Sequence, residues 1–304
     1  MASPPQRPAF NKPWLSYSDQ VALLKSRGLT IADEAGVAAF LAHINYYRFS
    51  GYCLAFEQPH HQFISGTTFE QVRESYDFDR VLRDLVTEAL ELVELDFRTA
   101  IAHHFGGKHG PFGHVSAINY FTRFNHTDWL TKIHYEASRS HELFVQHFNA
   151  NYSGFPDLPI WMLTEVMSFG SLSKMFKGMI RRDQREIAIR YGLQPTVLAS
   201  WMHHLVYVRN LCAHHSRLWD RVWSIKPELP PGKTWSPPLL PGNNRLFATL
   251  LVLYFLLKRC PAIAPFDQEW KIRLHGHLDK PPKASKPLAK MGLTGNWEQH
   301  PNWT

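Results

Sequence analysis

The chain has 304 residues, 44% of them apolar, which is enough to bury a full-sized core in one large or two ordinary domains. Lys and Arg number 33 against 26 Asp and Glu; the net charge of +7 favours a polyanionic partner without requiring one. Cys53, Cys212 and Cys260 are odd in number and widely spaced, with no CxxC, which argues against a disulfide framework or zinc knuckle and for a reducing, cytoplasmic compartment. MASPPQRPAF has no apolar signal core, and the longest apolar run, Leu246 to Leu257, spans 12 residues where a membrane helix needs roughly 20. No membrane association is expected.

Residues 1 to 12 are Pro-rich and read as loose. Ser16 with Asp19 resembles a capping box and opens a helix with Val21 and Leu24 inward, stopping at Gly28. A second helix is expected from about Asp33 to His43 and leads into INYYRFSGY. Asn45, Tyr46, Tyr47 and Arg48 there mix aromatics with a cation; packing into the bundle is preferred to base stacking. From Phe69 to Phe105 apolar residues recur at three- and four-residue steps, the pattern of a long amphipathic helix or two abutting ones. Tyr76, Asp77, Asp79 and Arg80 read as structural pairs and caps. Loops are expected at 106–113 and 149–159, and helices at 160–180 and 183–191. Gly170 reads as a helix break rather than a phosphate loop. Pro195 suits the first turn of a helix running from about Thr196 to Trp219. Six prolines make 226–244 a loop, and a buried helix follows near 246–259. From Lys271 onward there are six Lys or Arg against two acids, with several Pro, and this tail is expected to be poorly ordered. With no alternating strand pattern, the fold class is all-α: an N-terminal helical extension (1–62), a helical core (63–270) and a loose basic tail (271–304).

The informative segment is LASWMHHLVYVRNLCAHHSRLWDR, 198–221. Projected as a helix, Leu198, Met202, Leu205, Val208, Cys212 and Trp219 form an apolar seam. His203, Tyr207, Asn210, His214, Arg217 and Arg221 form a polar stripe without an acid, suited to an anion such as phosphate. Arg209 precedes His214 in an R-x4-H arrangement. The spacing alone is weak, since roughly one such match is expected by chance in a chain this rich in both residues. A second match, Arg98 to His103, has Glu94 one turn earlier, so an intrahelical ion pair accounts for Arg98. Arg209 has no acid within three or four residues. Positions five apart sit about 140° around the axis, so Arg209 must wrap its side chain to reach His214, unless two helices face each other across a two-fold.

VRNLCAHHSRLWDR resembles the signature of the Abi family, the AbiD/AbiF-like abortive infection proteins of bacterial phage defence. KPWLSYSDQVALLKSRGLTI (12–31), INYYRFSGY (44–52), FEQVRESYDFDRVLRDLV (69–86), ELDFRTAIAHHF (94–105) and SFGSLSKMF (168–176) resemble further family blocks in the same order. That family is placed in the HEPN superfamily, whose motif is an Arg, a polar residue, three residues and a His; Arg209, Asn210 and His214 match it. The resemblance implies a HEPN-like helical bundle, a homodimer bringing two motifs together, and cleavage of single-stranded RNA. It also implies, for some relatives, a structured non-coding RNA that restrains the protein. A toxin–antitoxin setting and a phage-defence setting both fit, and superfamily members without nuclease activity exist.

The implied chemistry is sound. RNA carries its own nucleophile, the 2′-hydroxyl, so no metal or other cofactor is called for. An imidazole with an ordinary pKa of roughly 6.5 accepts that proton at neutral pH, and a guanidinium stabilises charge on the phosphorane. On this reading Arg209, Asn210 and His214 are catalytic, and His203, Tyr207, His215, Arg217 and Arg221 bind RNA. The adjacent histidines 103–104, 203–204 and 214–215 point about 100° apart and make poor metal ligands from one helix. Two alternatives stay open: a catalytically silent RNA-binding or regulatory module, and a structural dimer whose motif only packs.

Overall fold

The computed structural model describes residues 9, 11–260, 265–293 and 295–303. The expectation for residues 1 to 12 therefore falls largely outside the described residues. Among the described residues the architecture is mostly helical, with one small antiparallel hairpin of β1 (Glu57–Gln58) and β2 (Gln62–Phe63).

The chain divides into two units, the first comprising residues up to Phe78 together with Pro282–Ser285. It holds α1 (Tyr17–Ser26), α2 (Glu34–Ile44) and α3 (Tyr46–Cys53). The capping box forms as read: Ser16 Oγ accepts from the Asp19 amide at 3.2 Å, and the Asp19 carboxylate accepts from the Ser16 amide at 3.3 Å. Val21 and Leu24 are buried. Asp33 caps α2 by accepting from the Gly36 amide. The core is an aromatic cluster in which Phe40 meets Phe49, Phe69 and Tyr76 edge-on, with centroids 5.3–5.8 Å apart. The stretch at 45–48 does not pack as expected. Asn45 caps α3, Tyr46 is half-buried with its hydroxyl 3.0 Å from Arg27, and Tyr47 is 86% exposed. Phe49 and Tyr52, three residues apart on one face of α3, take the core positions instead.

α4 (Phe69–His109) starts in the first unit and continues into the second, which comprises Asp79–Pro281 and the residues from Lys286 on. The second unit adds α5 (His126–Ser138), α6 (Leu143–Asn151), α7 (Ile160–Val166), α8 (Phe169–Gly178), α9 (Arg181–Arg190), α10 (Pro195–Ala213), α11 (Leu246–Leu257), α12 (Phe266–Leu278) and α13 (Pro287–Lys290). The 160–180 segment breaks between Met167 and Ser168, not at Gly170, because Ser168 accepts from the Ser171 amide as an N-cap. α10 packs on α8 and α9, and α11 is buried on nearly every face. Burying each such Leu or Val stabilises the unit by about 1.5–3 kcal/mol, which is why a helix with no polar face sits at its centre. Among the described residues no helix is long and apolar enough to cross a membrane.

The segment after Lys271 is not loose. Leu274, Leu278, Met291, Trp297 and Trp303 are buried. Trp303 lies 5.5 Å from the ring of Tyr254 and hydrogen-bonds His275. A few large anchors outweigh a polar, proline-containing composition.

Candidate functional site

α10 is shorter than its periodicity suggests. Pro195 occupies the first turn as expected, but the helix stops at Ala213 and His214 is its C-cap. The stop is a Schellman turn: the His215 amide donates to Cys212 O and the Ser216 amide to Leu211 O, both at 2.8 Å. His215 fills the left-handed position, φ 52°, that glycine usually takes. Arg217 and Arg221 therefore lie in the loop beyond the helix, not on its stripe.

That loop is pinned from α4. The Asp79 carboxylate is fully buried and accepts from the amides of Leu218 (3.1 Å) and Trp219 (2.9 Å) and from Arg83 Nη1 (2.6 Å). Leu218 and Trp219 are buried below it. Arg217 sits 5.8 Å above the Trp219 ring and donates to Asp220 O at 3.4 Å; Arg221 Nε donates to Arg217 O at 2.9 Å. Asp220 is bracketed by Arg245 and Lys290 at 3.5 and 3.4 Å. The structural role read for Asp79 holds, and its partner, a loop 139 residues away, could not be read from local pattern.

At the end of α10, Arg209, Asn210 and His214 are exposed. Arg209 brings Nη1 to 3.5 Å from Oδ1 of the adjacent Asn210, a long and weak contact. The His214 amide donates to Asn210 O at 3.0 Å, so backbone hydrogen bonding fixes these two residues one turn apart. Among the described residues Arg209 forms no ion pair. His203 is exposed on the same helix, about 16 Å along the axis from His214 at 1.5 Å per residue. Tyr207 is half-buried, its hydroxyl 3.2 Å from Ser224 Oγ. The structure thus gathers Arg209, Asn210, His214 and His215 at one helix end, and spreads the other named residues over the helix and the following loop.

Two neighbours on α10 are inert by burial. Burial holds the His204 imidazole down at about 4, overriding its bond to Ile225 O, with His203 adding to the depression. His204 Nδ1 donates to Ile225 O at 2.7 Å, which leaves Nε2 to accept from the Thr249 hydroxyl at 2.9 Å. Burial pushes the Cys212 thiol up to about 11, so it does not serve as a nucleophile.

The second R-x4-H is different. Arg98 is buried, pairs with Glu94 and donates to the carbonyls of Thr164 and Met167. His103 lines a surface cleft of about 740 Å³ with His104, Lys108, Arg182 and Arg190. Beneath the cleft, His104, Lys108 and His109 converge on the fully buried Asp183. Burial alone would raise that carboxyl; hydrogen bonds from Lys108, His109 and His104 outweigh it and hold it below its ordinary value.

No curated protein and no solved structure matches the chain. The family model for Abi-like proteins matches residues 39–220, a span that runs from α2 through α10 and the pinned loop and covers more than half of the sequence. The chain belongs to the Abi-like, that is abortive-infection-like, protein family.

Proposed function

We propose that the chain is a metal-independent endoribonuclease of a phage-defence or toxin–antitoxin system, acting on single-stranded RNA. The observation that carries the reading is Arg209: an exposed cation without an ion pair among the described residues, five residues before a histidine at a fixed helix end. Arg98, by contrast, is buried and paired with the Glu94 carboxylate. The match of Arg209, Asn210 and His214 to the HEPN motif supports the same assignment.

His214 takes the proton from the 2′-hydroxyl, whose oxygen attacks phosphorus. Arg209, steered by Asn210, stabilises the developing negative charge on the non-bridging oxygens. The bond from phosphorus to the 5′-oxygen breaks, leaving a 2′,3′-cyclic phosphate. The departing oxygen takes a proton from a second imidazole, either His215 or the His214 of a second copy. A homodimer with its two-fold near the end of α10 would set two such motifs face to face.

The test is cleavage of unstructured RNA in EDTA, with product ends identified. Expected are cyclic-phosphate ends, a loss of roughly 10²- to 10⁴-fold for His214→Ala and roughly 10²- to 10³-fold for Arg209→Ala, with RNA binding retained. Cleavage undiminished in both variants moves the site elsewhere. Absence of cleavage by the unaltered chain, with affinity reduced in both variants, makes the protein a binding module. Sedimentation as a strict monomer at micromolar concentration, with activity retained, removes the dimer.

A further inference from the structure

A groove away from the end of α10 has a composition that neither the fold nor the catalytic assignment requires. It lies between the 119–124 loop and the C-terminal end of α8, with a volume of about 550 Å³, within the range of small-ligand sites. The loop is stitched to the helix end: the Phe121 amide donates to Gly178 O at 2.8 Å and the Ile180 amide to Asn119 O at 3.2 Å. Arg123, Lys174 and Lys177 line the groove and are exposed, and no carboxylate is among its lining residues. Arg181 and Arg182 continue the run of exposed cations, and the acid that follows them, Asp183, is buried and already bonded to Lys108.

The groove also has aromatic walls. Phe124 is held by stacking on Tyr120, centroids 5.2 Å apart, and rests on Gly178, where a Cβ would come within 2.6 Å of the ring. Phe121 is 42% exposed. A fixed aromatic wall, a solvent-facing phenyl ring and a set of cations with no acid among them are what an unpaired nucleotide needs, since its base offers a face for stacking and its backbone a phosphate. A duplex presents the phosphates but not the faces. α8 packs along α10, and the end of α8 away from the groove, at Gly170, lies against Val206, one turn before Asn210. From Gly170 to Gly178 the axis advances about 12 Å.

We propose that this groove binds an unpaired nucleotide of single-stranded RNA, with the base on Phe121 and backbone phosphates on Arg123, Lys174 and Lys177. The assignment rests on the reading of RNA as the ligand, but not on cleavage. The test uses the full chain carrying His214→Ala, so that the RNA stays intact, and anisotropy of a labelled oligouridylate of about 12 nucleotides across a salt series. Adding Arg123→Ala, Lys174→Ala and Lys177→Ala together is expected to weaken binding and flatten the slope of log affinity against log salt by roughly 2, about 0.7 for each phosphate no longer neutralised. Adding Phe121→Ala alone is expected to weaken binding about 5- to 100-fold with the slope unchanged, and to leave binding of a duplex of equal length unaffected.

Thermal melts matching the parent chain show that the variants fold. Unchanged affinity and slope in the triple variant overturns the proposal. So does an equal loss of single-stranded and duplex binding on Phe121→Ala, or preferential binding of anionic vesicles through the same residues. The two readings fail separately. Groove-dependent binding without cleavage by the unaltered chain removes the nuclease and keeps the groove. Cleavage that depends on His214, with binding indifferent to the groove, does the opposite.

Discussion

Arg98 and Arg209 each stand five residues before a histidine on a helix, and they share nothing else. Arg98 is buried on α4, with the Glu94 carboxylate and two backbone carbonyls as acceptors. Arg209 is exposed near the end of α10, with a 3.5 Å contact to the neighbouring Asn210. Arg98 joins α4 to the α7 segment and to Met167 beyond it; its charge is consumed in packing. Arg209 pairs with no carboxylate among the described residues, and its charge remains available to a ligand. A spacing motif acquires meaning from what the arginine is already bonded to, and the pair separates that variable from sequence pattern within one molecule.

The largest expected effect tests that separation. Arg98→Ala leaves Glu94 and the carbonyls of Thr164 and Met167 without their donor in a buried setting, and is expected to lower stability by about 3 kcal/mol or more in urea unfolding. Arg209→Ala is expected to change stability by no more than about 0.5 kcal/mol while removing activity. Arg98→Met with Glu94→Gln removes both buried charges and is expected to recover part of the loss. Similar stability losses at the two arginines would erase the distinction.

Much of the fold is legible in local pattern. The capping box at Ser16, the long α4, Pro195 at the start of α10 and the buried α11 all follow from it. So does the reading of Arg98, because its partner is one turn away. The failures have a common cause in distant or untypical partners. α10 ends at Ala213 without a glycine or proline to announce it, because His215 takes the left-handed position and Asp79 holds the chain that follows. Arg217 and Arg221 leave the predicted stripe for that reason. The segment after Lys271 owes its order to Trp297 and Trp303, which pack among rings elsewhere in the same unit, including Trp270 and Tyr254. Composition averages over such anchors.

The contrast between buried and exposed groups extends to the imidazoles and gives stability a pH dependence distinct from that of the reaction. His204 is held at about 4, chiefly by burial. His114, fully buried, is also held at about 4 by burial, with Asp157 opposing the shift and His134 and His126 adding to it. In the unfolded chain both return to roughly 6.5. Between those values the unfolded state binds more protons, so stability is complete above about pH 6.5 and is lost as pH falls towards 4, by roughly 3 kcal/mol per histidine. Urea midpoints at pH 7.5, 6 and 5 should fall in that order. His204→Gln, whose amide can donate to Ile225 O and accept from Thr249, should flatten the dependence; a dependence equally steep in that variant would assign the loss to other groups.

The smallest expected effect bears on His215 and is the most informative about the helix end. A histidine at φ 52° carries the penalty of a Cβ in the left-handed region, about 1–2 kcal/mol, which glycine would not. Glycine gives back part of that gain through the larger entropy of its unfolded chain, so His215→Gly is expected to raise stability by a net of about 0.5–1 kcal/mol. Its amide still donates to Cys212 O, so the turn survives and α10 ends in the same place. A melting temperature that falls on this substitution would mean that the imidazole, not the backbone, holds the turn. With the turn intact, turnover divides the two sources of the leaving-group proton. A fall in kcat under conditions that saturate with RNA assigns the proton to His215. A kcat equal to that of the unaltered chain assigns it to the His214 of a second copy; each mixed dimer of unaltered and His214→Ala chains then holds a single His214, so adding His214→Ala chains should lower activity by more than simple dilution.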